Sequence, residues 1–181
     1  DSSGDKPWEE QEEIEEIEGA LEGEEESQLS DSKKRAEGGD VDAEFELGLH
    51  YVKGEDEKPD FSEALKWFAR AAEREHAKAQ FYLGGMYENG KGVEKDTELS
   101  TKWYKLAAEN GYAVAQNQLG WMLANGQGLP ADHSRAVYWF RMAAEKKYSV
   151  AQANLSTMYR DGKGVTQDLR LAETWWNLAL E

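Results

Sequence analysis

An internal repeat of 36 residues is the feature of this chain that most restricts its fold. Shifting the sequence by that period aligns four successive units without gaps, which begin AEFELGLHYVKG, AQFYLGGMYENG, AQNQLGWMLANG and AQANLSTMYRDG. Further along every unit, a tryptophan is followed at once by an aromatic residue, and an alanine stands four positions after the tryptophan. A period of this length is typical of solenoids, in which each unit buries its apolar face against its neighbours. The sequence therefore predicts a repeat domain over residues 41–181, with units at 43–78, 79–114, 115–150 and 151–181.

Each unit carries the signals for two helices joined by a short glycine-containing connection. Helix A has an apolar stripe, exemplified by Leu83 and Tyr87 one turn apart. It ends at Gly90, because a left-handed backbone conformation costs glycine little. The aspartate that follows, Asp96 in the second unit, can accept hydrogen bonds from the free amides at the start of helix B. In helix B, large rings stand beside small alanines, which predicts a helix-packing surface.

The repeated pattern reads A-x-x-x-L-G-x-x-Y-x-x-G-x-G-V and then A-x-x-W-aromatic-x-x-A-A-E, and it is nearly complete between Ala79 and Glu109. It resembles the Sel1-like repeat, a relative of the tetratricopeptide repeat. The resemblance covers residues 43–181 and implies an all-α, right-handed superhelical α/α solenoid, with A helices on the concave side and B helices on the convex side. Three units depart from the pattern, through Asp56 in the first connection, Leu123 at the tyrosine position and Ser156 at a glycine position.

Acidic residues are concentrated in the first 40 residues. This segment has 16 Asp or Glu and 4 Lys or Arg, and so carries −12 of the formal net charge of −16. The repeat domain has no basic field, which argues against nucleic acid or an anionic lipid surface as a partner. No apolar run approaches the roughly 20 residues of a membrane helix, so no membrane insertion is expected. The absence of cysteine excludes disulfides and thiolate metal sites.

We expect residues 1–40 to be mostly disordered, because their burial could not offset the entropy of the chain. Ile14, Ile17 and Leu21 nevertheless form a narrow apolar stripe. Two interpretations are open: a solvated acidic leader, favoured by repulsion among the glutamates, or a short helix over residues 9–21 that docks on the repeat domain or on a partner.

No pattern of catalytic or cofactor-binding residues is present. The Gly-x-Gly segments follow no predicted strand and precede no Lys-Ser/Thr pair, so they do not match a phosphate-binding loop. The histidines fall on different elements and lack a metal-ligand spacing; they are His50, His76 and His133. We therefore expect no enzymatic activity, no cofactor and no metal site.

Partner choice should depend on the helix A positions that differ between units, because the shared core explains those that repeat. Trp121 is prominent among them, since every other tryptophan of the repeat domain belongs to the helix B aromatic pairs. Two interpretations of Trp121 are open: contact with a protein or peptide in the groove, or packing between repeats. The candidate partner-binding residues are Trp121, Tyr82, Gln118, Asn154, Glu88 and Arg160.

The end of the last helix B is a second candidate surface. No following unit in this sequence covers Trp176 and Leu180, and terminal repeats usually need a polar outer face. An uncovered end predicts a removed continuation of the chain, self-association or a further partner, and the sequence does not choose among these.

The expected function is a non-enzymatic scaffold or adaptor that presents a concave groove to a protein or peptide. The family resemblance supports roles in bacterial envelopes, secretion, host contact or signalling. The alternative is a regulatory or inhibitory subunit that occludes an enzyme or toxin. The resemblance and the missing initiator methionine favour an exported, periplasmic bacterial protein over a cytoplasmic one.

Overall fold

The computed structural model describes residues 29–54 and 58–181, and all regular secondary structure in these two ranges is helical. A helical segment over residues 29–37 (α1) precedes four helix pairs. The A helices are α2 (Val41–Lys53), α4 (Ala77–Asn89), α6 (Ala113–Asn125) and α8 (Ser149–Asp161). The B helices are α3 (Phe61–Glu73), α5 (Thr97–Glu109), α7 (His133–Glu145) and α9 (Leu169–Ala179).

The helices stack in chain order, which confirms the predicted all-α solenoid of four repeats. Each A helix packs on the B helix of its own repeat, and the B helix packs on the next A helix. The A helices begin two residues before the alanines from which the units were counted. The alternative helix over residues 9–21 and the irregular connection at Asp56 lie outside the described residues.

Glycine and aspartate set the helix boundaries, as the sequence predicts. The four A helices end at glycines in the left-handed conformation, with φ between 64° and 68°: Gly54, Gly90, Gly126 and Gly162. The four B helices begin after aspartates whose side chains accept hydrogen bonds from amides of the first turn: Asp60, Asp96, Asp132 and Asp168. The same two devices therefore reverse the chain in every repeat.

Contact between a glycine of helix A and an aromatic ring of helix B forms the centre of the first three repeats. A Cβ added at any of these glycines would lie 2.5–2.8 Å from the ring, so only glycine allows the two helices to approach this closely. The rings are at most 4% exposed. The pairs are Gly48 with Phe68, Gly84 with Tyr104 and Gly120 with Phe140.

Buried glutamines connect one repeat to the next. Each lies in the first turn of an A helix, and its side-chain amide donates a hydrogen bond to a carbonyl near the end of the preceding B helix. The bonds run from Gln80 to Ala72 (3.0 Å), from Gln116 to Ala108 (3.1 Å) and from Gln152 to Ala144 (3.3 Å). These bonds satisfy polar groups that would otherwise be costly to bury.

Helix α1 occupies the place of a helix B in front of the first full repeat. Ala36 lies 36 residues before Ala72, and the two are 0% and 2% exposed. Gly39 (φ 89°) likewise corresponds to Glu75 (φ 65°), which also has positive φ. Ala36 packs in one cluster with Ala43. The end of the acidic segment is thus helical and covers the first repeat, which the sequence did not predict because its alignment began at Ala43.

Glu44 occupies the glutamine position of the first repeat and is 1% exposed. A carboxylate cannot donate to the Ala36 carbonyl, so Arg70 donates to that oxygen instead, at 3.3 Å. Arg70 also pairs with Glu44 at 2.9 Å, and Arg74 approaches the same carboxylate oxygen at 3.6 Å. Two arginines therefore replace the glutamine link at this junction.

Candidate partner-binding surface

Three sets of aligned helix A positions that differ between repeats are at least partly accessible in every repeat. We call the surface that they form the A face. It consists of Glu46, Tyr82, Gln118, Asn154, Leu49, Gly85, Trp121, Thr157, Val52, Glu88, Ala124 and Arg160. Tyr82 and Trp121 are its large exposed aromatic residues, at 36% and 40% exposure.

Two of the predicted residues, Trp121 and Glu88, line the same small pocket, of about 60 Å³. Helix α5 and the connection after α6 complete this Trp121 pocket. The other lining residues are Thr97, Ser100, Thr101, Met122, Gln127 and Gly128. The sequence analysis did not single out these residues, because an alignment of repeats does not show which positions of different helices lie side by side. The pocket therefore lies where the A face of the second and third repeats meets the start of α5.

Glu88 is held by a tyrosine of its own repeat. The Tyr104 hydroxyl donates to Oε2 of Glu88 at 2.7 Å. Burial of the ring, followed by this hydrogen bond, raises the pKa of Tyr104 well above its ordinary value, so the phenol remains a donor. The two residues are separated by 16 positions, and an acid and a tyrosine occur together there only in the second repeat. That coincidence is the sequence signal for the pair.

Tyr82 and Asn154 have contacts with the neighbouring repeats. The Tyr82 ring packs against Phe45 and Phe68, with centroid distances of 5.6 and 5.2 Å. The Asn154 amide donates to Oδ1 of Asn117 at 2.8 Å. Both side chains therefore join repeats together while part of their surface remains open. Gln118 is half-buried.

Arg160 lies at a different place, beside Trp176. A cavity of about 370 Å³ opens between α8 and α9 and is lined by Ser156, Arg160, Leu169, Ala172, Glu173 and Trp176. Arg160 donates to Oδ1 of Asp161 at 2.9 Å, and this hydrogen bond lowers the pKa of Asp161. Of the predicted binding residues, Trp121 and Glu88 thus line one pocket and Arg160 lines another.

The apolar C-terminal face comprises Leu169, Trp176 and Leu180, which are 50–70% exposed. Ser156 explains part of this exposure, because it stands where earlier repeats have the glycine that receives the ring. Its hydroxyl donates to the Ala172 carbonyl at 2.7 Å, and Ser156 and Trp176 both line the cavity between α8 and α9. Trp176 is 50% exposed, whereas its equivalent Phe68, on which the Tyr82 ring of the next repeat packs, is fully buried.

The described residues show no cluster of three or more His, Asp or Glu that could hold a metal ion. His76 has a structural contact, since its Nδ1 accepts a hydrogen bond from the Ala79 amide at 3.1 Å and so caps α4. Across 29–54 and 58–181, no helix combines the length and the apolar character needed to cross a membrane.

These helix pairs define a helical-repeat protein of the solenoid class. The Sel1 repeat model matches residues 41–76, 77–112, 113–148 and 149–181, and the chain belongs to the Sel1 repeat family. Members of this family are generally non-enzymatic scaffolds that mediate protein–protein interaction. A search of curated proteins finds no match.

Three solved structures illustrate the relationship. A protective antigen of uropathogenic Escherichia coli strains, with an SLR fold, is 39% identical over 84% of this chain and 32% of its own, with a TM-score of 0.79. A Sel1 repeat protein from Oxalobacter formigenes is 35% identical over 84% of this chain and 63% of its own (TM-score 0.76). The chain thus spans less than two thirds of either relative. An immunity protein from Pseudomonas aeruginosa, 18% identical over 84% of this chain and 72% of its own (TM-score 0.50), shares the fold.

Proposed function

We propose that this chain is an adaptor that binds a protein or peptide on the A face, with Trp121 as the central contact. The observation that carries this proposal is the 40% exposure of Trp121 at the mouth of a pocket on that face. The tryptophans of the repeated pattern are half-buried and belong to the packing of the repeats. Tryptophan beside a pocket is the residue type that most often dominates binding energy at protein interfaces.

Trp121→Ala is expected to weaken partner binding by about 2 kcal/mol or more, because it removes a large aromatic contact. Thermal stability should change little, since Trp121 is 40% exposed and lies outside the hydrophobic core of the repeats. The measurement is affinity capture of partners by the full chain from its own cells, followed by titration of the recovered partner and by thermal unfolding.

Tyr138→Ala is the matched control, because Tyr138 is an aromatic residue of helix α7, 56% exposed, that lies outside the A face. It should leave capture unchanged. The proposal is contradicted if both variants lose the partner equally. It is also contradicted if Trp121→Ala loses its fold but still binds the partner.

An inhibitory subunit is the alternative use of the same face. The likeness to the immunity protein concerns the fold alone and does not favour this alternative. The captured partner separates the two functions: an enzyme or toxin whose activity falls on stoichiometric addition of the chain indicates inhibition, whereas a partner with unchanged activity indicates an adaptor.

Self-association through the C-terminal face is a separate prediction. Leu180 is 70% exposed beside the half-exposed Trp176, and an apolar end of a solenoid is a surface for another chain. Light scattering over a range of concentrations should show a mass that rises in the wild type and stays constant in Leu180→Lys. A constant monomer mass in both proteins would rule out self-association.

A further inference from the structure

The Trp121 pocket has room for the end of a single side chain. Its volume of about 60 Å³ is well below the roughly 300 Å³ at which small-molecule sites begin. A ligand that uses this pocket must therefore enter it with one group while the rest of the ligand lies on the A face. A peptide side chain meets that requirement.

The electrostatics of the pocket favour a positive group. Glu88 is the one charged residue in its lining. Among the described residues it accepts a hydrogen bond from Tyr104 and forms no ion pair with a cation. A phosphate or carboxylate would be repelled by this carboxylate, and an apolar group would remove water from it without compensation. A cation would pair with the Glu88 carboxylate.

The remaining walls suit the same kind of group. Trp121 lines the pocket and is 40% exposed, and an indole ring attracts a guanidinium or ammonium group. Thr97 and Ser100 contribute hydroxyl groups and Gln127 an amide, all of which have oxygens able to accept N–H donors. The indole, the carboxylate and these oxygens surround a space that fits the end of an arginine or lysine.

We infer that the Trp121 pocket receives an arginine or lysine side chain of the bound partner, held between the Trp121 indole and the Glu88 carboxylate. The inference rests on the proposed function and specifies it, since the partner is then a protein or peptide that presents a basic residue to the A face. Tyr104 is a positioning residue, because its hydrogen bond holds the Glu88 carboxylate toward α5.

The test uses N-acetyl-arginine methylamide and its neutral, nearly isosteric counterpart N-acetyl-citrulline methylamide. Each probe is titrated into the full chain while the indole N–H signals of the seven tryptophans are followed by NMR. The Trp121 signal is the one that disappears in Trp121→Phe. The arginine probe should shift this signal with an affinity about fivefold or more above that of the citrulline probe. Equal effects of the two probes would overturn the inference.

Glu88→Gln identifies the source of the discrimination. Glutamine keeps an oxygen that can accept the Tyr104 hydroxyl, so the fold should persist, which thermal unfolding verifies. In this variant, the ratio of the affinity for the arginine probe to that for the citrulline probe should fall to near one. Glu98→Gln removes the same charge from an exposed site on α5 that does not line the pocket, and it should retain the preference. Full preference in Glu88→Gln would likewise overturn the inference.

The two proposals fail in different ways. If Trp121→Ala abolishes partner capture but the probes are not distinguished, the A face binds a partner without a basic side chain in the pocket. If the probes are distinguished but Trp121→Ala captures normally, the pocket binds cations and the proposed central role of Trp121 is wrong.

Discussion

Arg70→Met is expected to lower the free energy of unfolding by about 2 kcal/mol, because it leaves the buried Glu44 carboxylate with only the longer contact to Arg74. Glu44 is 1% exposed, and Arg70 provides the shorter of its two arginine contacts. The same change also removes the hydrogen bond to the Ala36 carbonyl. Methionine keeps an unbranched side chain, but the substitution also removes the Arg70 guanidinium from the Trp67 ring, where it lies 4.7 Å from the ring centroid. Denaturant unfolding of the full chain measures the loss of stability.

Glu44→Gln should largely restore the stability that Arg70→Met removes. The neutral amide needs no counter-ion, and Gln80 shows that glutamine at this position can donate to the carbonyl of the preceding helix. We therefore expect Arg70→Met to cost less than about 1 kcal/mol in the Glu44→Gln background. Lys66→Met is the control, since its pair with Glu63 is exposed and should contribute about 0–1 kcal/mol. Equal costs of Arg70→Met in both backgrounds would show that Glu44 does not require the arginine.

Gly164→Ala is expected to destabilise the protein by about 3 kcal/mol, which combines a left-handed backbone conformation with steric overlap. Gly164 has φ 69°, and a Cβ there would overlap the carbonyl group of His133. That group is backbone at the start of α7, so it cannot move aside as a flexible side chain would. The connection of the fourth repeat is therefore pressed against the third repeat at this glycine.

Gly162→Ala separates the two causes. Gly162 has nearly the same φ, 65°, but a Cβ there would lie 3.3 Å from the Cβ of Gln167, with no backbone overlap. Gly162→Ala should lower the free energy of unfolding by about 1–2 kcal/mol, because only the left-handed backbone conformation contributes to the loss. If the two substitutions cost the same in denaturant unfolding, close approach of the backbone does not determine the choice of Gly164.

The 36-residue register predicts most of the fold because it repeats local signals. Gly90 and Asp96 bound their helices where the sequence places them, since each acts through its own backbone or the next few amides. Helix α1 was missed because only Ala36 and its surroundings preserve the register there. In a strongly acidic segment, one alanine in register is too weak a signal to predict a packed helix.

The candidate site was less predictable, because it depends on contacts between residues far apart in the sequence. An alignment shows that Glu88 and Trp121 vary, but not that they line one pocket while Arg160 lines another. The Ser156 substitution was visible in the sequence, yet its effect on Trp176 depends on the space that a glycine leaves for a ring. Such effects require the packing of two helices to be known.

The glutamine bonds between repeats have a consequence for how such a chain can lengthen. In each bond the later repeat supplies the side chain, whereas the earlier one supplies a main-chain carbonyl. Every helical residue has that carbonyl, so a duplicated unit brings its own attachment and demands no matching substitution in its predecessor. Tandem duplication can therefore add whole units without redesigning the junction, and relatives of quite different lengths can share one architecture.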